Sequence, residues 1–178
     1  GINEATMNKT IPDGVYPTLI TPYEENGRID WNALETLIEW HIAHGVAGFF
    51  AVCQSSEMFH LTLRERLELA RMSIKFSRDR VPVLVSGHIA DTLYDQIEEA
   101  KMMTDTGADA LILVTNRLAR PYEGNDIFKR NLETFLTAFD RDILLGFYEC
   151  PAPYKRLLNA DLVQFIVETG RCGFLKDT

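Results

Sequence analysis

Val46-Ala47-Gly48-Phe49-Phe50-Ala51-Val52 carries no polar side chain. A strand with one wet face alternates apolar and polar residues. An unbroken apolar run belongs instead to a sheet covered on both faces, which is the habit of parallel sheets. Similar runs recur along the chain at Val15 to Thr21, Val81 to Ser86, Ala110 to Thr115, Asp142 to Tyr148 and Gly173 to Leu175. Between them lie segments of helical period. Asp30 is placed to cap a helix whose Leu34, Leu37, Ile38 and Ile42 share one face. Thr62-Leu63-Arg64-Glu65 spells a capping box opening a helix to about Phe76. Further helices are expected at about Thr92 to Thr104, about Asn125 to Phe139 and Ala160 to Glu168, with Gly45, Gly107 and Gly170 as stops.

Strands return about every 30 residues, the length of a βα unit, and right-handed crossovers then build a parallel sheet. No linker, low-complexity stretch or charge block divides the chain. One domain is expected over residues 14–178, preceded by an N-terminal extension at residues 1–13. A doubly wound sheet would announce itself with a glycine-rich phosphate loop. Neither a Gly-x-Gly-x-x-Gly nor a Walker sequence is present. The suggestive polar residues instead follow many different strands, as on the carboxyl-terminal face of a barrel. The fold class read here is α/β, a (β/α)8 TIM barrel. Six units cannot close such a barrel, so the chain is expected to cover about its first six.

Composition narrows the function. With 46% hydrophobic residues the chain can bury one sizeable core. Its 26 acidic and 18 basic residues give a net charge of −8 with no basic cluster, which argues against nucleic acid. No apolar run approaches the ~20 residues of a membrane span. Cys53, Cys150 and Cys172 are odd in number and widely spaced, so neither a disulfide framework nor a zinc site is read, and a reducing cytoplasm is the simplest compartment. His41, His44, His60 and His88 are scattered and read as surface or helix-end residues rather than metal ligands. No metal or cofactor is called for.

Three strand ends carry chemistry. Lys176 follows the apolar Gly173-Phe174-Leu175. A lysine desolvated there can present a neutral amine, which attacks a ketone to form a Schiff base. Tyr148-Glu149-Cys150-Pro151 ends the fifth predicted strand, and adjacent strand ends would bring the phenol near Lys176, where it could relay a proton. Cys53-Gln54-Ser55-Ser56-Glu57 follows the second predicted strand; Ser55, Ser56 and their N–H groups could cradle a carboxylate. Each has a plainer reading: a solvated strand end, a packed tyrosine, a loop whose serines satisfy local backbone.

The ordered series of short motifs resembles the dihydrodipicolinate synthase/N-acetylneuraminate lyase family of class I aldolases. It runs through Gly14-Val15-Tyr16-Pro17-Thr18-Leu19-Ile20-Thr21-Pro22, Asn26-Gly27-Arg28-Ile29-Asp30 and Gly45-Val46-Ala47-Gly48. The serine loop ending in Glu57 follows, then Leu61 to Arg66, Gly107-Ala108-Asp109-Ala110, Tyr148 to Pro151 and Leu175-Lys176-Asp177-Thr178. The resemblance implies a (β/α)8 barrel without cofactor and a homo-oligomer, tetramer or dimer. It implies Lys176 as the lysine that forms a Schiff base with pyruvate or another 2-oxo acid. Tyr148 matches the proton-relaying tyrosine, Ser55 with the Ser56 backbone the carboxylate-binding turn, and Glu57 a structural position.

Departures point away from dihydrodipicolinate synthesis itself. Gln54 stands where the synthase has a relay hydroxyl. Arg117-Leu118 replaces its paired tyrosines. Pro153 occupies the place of the arginine that holds its second substrate, with Lys155-Arg156 displaced beyond. A carbon–carbon lyase acting on a 2-oxo acid is the first expectation. A relative that binds such an acid as sensor or scaffold, without turnover, is the alternative.

Overall fold

The computed structural model describes residues 11–53, 58–150 and 155–176. The α-helices among these residues are α1 (Trp31–Ala43), α2 (Leu63–Ser77), α3 (Leu93–Thr104), α4 (Asn125–Ala138) and α5 (Ala160–Glu168). Its five strands are β1 (Phe49–Ala51), β2 (Val83–Val85), β3 (Ala110–Val114), β4 (Leu144–Tyr148) and β5 (Cys172–Lys176). They are the second to sixth runs anticipated from the sequence.

All neighbouring strands are parallel, and their spatial order is β1-β2-β3-β4-β5. A doubly wound sheet reverses direction somewhere along its edge-to-edge order. A monotonic order, with an α-helix between each strand and the next, is the winding of a (β/α)8 barrel wall.

The first predicted strand is present only as an extended segment. Phe50 N–H donates to Pro17 O and Leu19 N–H to Phe50 O, both at 3.0 Å, making one parallel bridge at Thr18. Ala47 N–H reaches Val15 O at 2.9 Å. The ladder bond between these contacts would need the N–H of residue 17, and proline has none. The missing donor interrupts the ladder on the amino-terminal side of this bridge; on the other side β1 itself ends at Ala51, where Val52 turns away with φ 48°.

Local signals start the helices where expected. Asp30 accepts from Ala33 N–H at 2.9 Å. Thr62 and Glu65 close the reciprocal capping box at 3.0 and 3.1 Å. Thr92 and Asn159 cap α3 and α5 by accepting from Asp95 N–H and Leu162 N–H. Together such caps satisfy donors that the first turn of a helix leaves unpaired, at about 1 kcal/mol each. The helices cover the sheet with Leu34, Ile38, Leu69, Met103, Phe128, Leu132, Phe135 and Ile166, all almost fully buried. Each such side chain contributes roughly 1.5–3 kcal/mol of transfer free energy. No helix among the described residues is long and apolar enough to cross a membrane.

His88 corrects one expectation. It is no surface residue: it is wholly buried beyond the end of β2. Its Nε2 accepts from Val114 N–H at 2.5 Å, which leaves the ring proton on Nδ1, facing Gln96 Oε1 at 3.2 Å. Burial pushes its pKa down to about 4, with Arg117 and Arg66 adding to the fall against the opposing Gln96 bond, so the ring is neutral. The segment carrying it is tied down by a buried ion pair. Arg66 meets Glu99 at 2.6 Å and also donates to Gly87 O, while Glu99 accepts from Ala90 N–H at 2.7 Å.

Candidate active site at the carboxyl ends of the strands

Every strand points the same way, so the carboxyl ends of β1 to β5 lie along one edge of the sheet. Val52 leaves β1 with φ 48° although it is β-branched and fully buried. That left-handed conformation costs a valine of order 1–3 kcal/mol, and strain of this kind gathers at functional turns. It turns the chain sharply into Cys53. Gln54, Ser55, Ser56 and Glu57, the predicted carboxylate turn, lie outside the described residues.

Tyr148 is the last residue of β4 and is 7% exposed. Its ring packs edge-on against Phe50, with centroids 5.8 Å apart and planes at 82°. Burial, more than any neighbour, pushes its phenol up to about 12; Cys150 and Cys53 add to the rise, Cys150 also through a hydrogen bond. The phenol is therefore protonated at neutral pH and can donate. Cys53, Cys150 and Cys172 are buried thiols, none of them in a disulfide.

Lys176 is the last residue of β5, inside the strand rather than just after it as the sequence suggested. In the ladder, Val114, Tyr148 and Lys176 form one row across β3, β4 and β5. The predicted meeting of Tyr148 and Lys176 thus has its backbone basis: they are register partners on adjacent strands.

The loop after β3 is locked to the loop after β4. Asn116 Nδ2 donates to Cys150 O at 2.9 Å, and Thr115 Oγ1 to Arg156 O at 2.8 Å. Arg156 returns the tie, donating to the carbonyls of Arg120 at 3.2 Å and Glu123 at 3.0 Å, with its guanidinium 5.6 Å from the Phe128 ring centre. This arginine is engaged with backbone. Arg117 is likewise bound to Ile89 O and lies 3.8 Å from Asp91, while Leu118 is 1% exposed.

Sequence reasoning missed Asn116, Thr115 and the buried His88. Thr115 ends a predicted strand and Asn116 directly follows it, which could have raised them. Nothing local marks His88, because its partners Val114, Gln96 and Phe135 come from three other elements. No group of His, Cys, Asp and Glu suited to a metal ion occurs among the described residues.

The model of the dihydrodipicolinate synthetase family matches residues 11–126. The chain belongs to that family. The 4-hydroxy-tetrahydrodipicolinate synthase of Bartonella henselae is 34% identical over 158 residues, covering 89% of this chain and 50% of that protein. The synthase of Phenylobacterium zucineum is 38% identical over 108 residues, covering 61% of this chain and 36% of its own. Among solved structures, the chloride-inhibited dihydrodipicolinate synthase of Acinetobacter baumannii complexed with pyruvate superposes with a TM-score of 0.84 at 27% identity. That match covers 95% of this chain and 56% of the other. The chain spans about half the length of these relatives or less, and its parallel sheet is part of their (β/α)8 barrel.

Proposed function

We propose that this chain carries the Schiff-base half of a class I lyase or aldolase acting on pyruvate or another 2-oxo acid. Lys176 is the nucleophile, Tyr148 the proton donor, and the Ser55–Ser56 turn, with Gln54 beside it, the carboxylate cradle. The observation that carries this reading is the pairing of Tyr148 with Lys176 at the carboxyl ends of adjacent parallel strands. The Lys176 amine adds to the keto carbon, the hydroxyl of the resulting carbinolamine takes a proton from the Tyr148 phenol, and water leaves as the iminium forms. In cleavage the iminium accepts the electron pair of the breaking C–C bond at C3 and becomes an enamine. In the forming direction the iminium loses a C3 proton to the Tyr148 phenolate left by the first step, and the resulting enamine supplies the pair.

Dihydrodipicolinate synthesis is not the activity we assign. Arg156 is bound to the carbonyls of Arg120 and Glu123, so this arginine is not held ready for a second carboxylate. A neutral or hydroxylated aldehyde, as from a deoxy sugar acid, fits better. The buried Leu118, where the synthase relay has a tyrosine, favours a second reading in which the 2-oxo acid is bound but not turned over. A homo-oligomer remains part of the proposal, on the family resemblance.

The test uses the full-length protein, pyruvate and borohydride, with the adduct located by peptide mass spectrometry. An adduct on Lys176, absent in Lys176→Met, is expected. Its absence with pyruvate and with larger 2-oxo acids would reduce the reading to a shared fold. An adduct without C–C cleavage across a substrate panel would favour the binding protein.

A further inference from the structure

The β4–β5 ladder is not regular. It begins with Leu145 opposite Cys172 and resumes with Gly146 opposite Phe174, so Gly173 is an extra residue in β5, a bulge. Continued without the bulge, the first pairing would set Tyr148 opposite Leu175. With it, Tyr148 stands opposite Lys176. The difference is one residue, about 3.3 Å along the strand, and residues one apart in a strand belong to opposite faces of the sheet. Gly173 also has no room for a side chain. A Cβ there would lie 2.2 Å from Leu144 Cδ1 and 2.8 Å from Leu144 Cγ.

We infer that Gly173 is a positioning residue for the Schiff-base reaction: its bulge, closed against Leu144, sets the register that brings Lys176 level with Tyr148. This rests on the reading of Lys176 as nucleophile. The logic is local and covers one step of the ladder. A methyl group at residue 173 must either displace Leu144 or push β5 back into regular pairing, and the second outcome puts Leu175 in the reactive row. Removing residue 173 altogether has the opposite consequence. A regular ladder running on from Cys172 then pairs Phe174, Leu175 and Lys176 with Gly146, Phe147 and Tyr148, the pairing already present.

The experiment compares four full-length proteins in the pyruvate–borohydride assay, following adduct on Lys176 over time beside thermal unfolding. Wild type sets the rate. Gly173→Ala is expected to slow adduct formation about 100-fold, the cost of misplacing a reacting group by an ångström or more. Gly173→Ala with Leu144→Ala, which removes the obstructing atoms, is expected to recover most of that loss. Deletion of Gly173 is expected to keep adduct on Lys176 despite lower stability, which a merely space-filling glycine does not predict. Equal rates in wild type and a folded Gly173→Ala overturn the inference, as does loss of adduct in a folded deletion variant. If the deletion does not fold, failure of Leu144→Ala to restore the rate overturns it. No adduct in wild type overturns the Schiff-base reading instead, and is recognised before any variant is made.

Discussion

Replacing Glu99 by glutamine removes one charge from the inside of the wall that carries the candidate site. Arg66 and Glu99 are each 5% exposed and meet at 2.6 Å. Water cannot take over for the lost carboxylate, so the guanidinium stays buried without its counter-charge. Removing one partner of such a pair costs about 3–5 kcal/mol, mostly the penalty of the stranded ion. Glutamine keeps the shape of Glu99 and can retain the oxygen that accepts from Ala90 N–H at 2.7 Å. The cost should therefore sit near the lower end, about 3 kcal/mol, whereas Glu99→Leu, which also orphans that N–H, should reach about 5 kcal/mol. For a domain of this size each kcal/mol lowers Tm by about 2–4 °C, which predicts a fall of about 6–12 °C for Glu99→Gln. Thermal unfolding of the full-length protein by circular dichroism at pH 7 measures it. The double variant Arg66→Met with Glu99→Leu removes the stranded charge and should be more stable than Glu99→Leu alone. A Glu99→Gln protein within about 2 °C of wild type, or a double variant no better than the single, would refute the reasoning.

Tyr148→Phe keeps the ring against Phe50 and loses the donor; Lys176 adduct formation should slow by about 100-fold or more while stability changes by about 1 kcal/mol. Rates within a few-fold of wild type would remove Tyr148 from the mechanism. His88 gives a pH signature. Its folded-state pKa is held down at about 4, below the ordinary 6.5, so from 6.5 down to about 4 the unfolded chain binds the extra proton. Stability from this group is complete above pH 6.5 and falls by about 1.4 kcal/mol per pH unit within that window. Urea unfolding between pH 8 and 4.5 should show a steeper decline for wild type than for His88→Gln; parallel curves would contradict the assignment. The exposed Glu39, held down at about 2 by hydrogen bonds from Arg80 and Arg78, loses its contribution only below its ordinary 4.5 and leaves most of that window clear.

Most of the fold could be read along the chain. The capping box at Thr62, the cap at Asp30, and the apolar runs of β1 and β3 are contacts or periodicities within a few residues. Pro17 shows how narrow the margin is, since one absent N–H interrupts the ladder of a run with strand character before its bridge at Thr18. Tyr148 and Lys176 end apolar runs and match a family pattern, and no three-dimensional information was needed to single them out. Asn116 and Arg156 were not assigned their tasks, because a hydrogen bond to a carbonyl 34 or 36 residues away leaves no trace in either segment.

By itself the sequence determined the βα alternation, the helix starts and the residue types available at the strand ends, since each rests on neighbours close along the chain. Only the tertiary structure decided the monotonic strand order, the burial of His88 against Val114, and the one-residue bulge at Gly173 that sets Tyr148 opposite Lys176. These are relations between residues 26 positions or more apart. Burial and pairing across the sheet fix them, and a one-residue slip in pairing leaves the sequence pattern unchanged while exchanging which side chain meets the site.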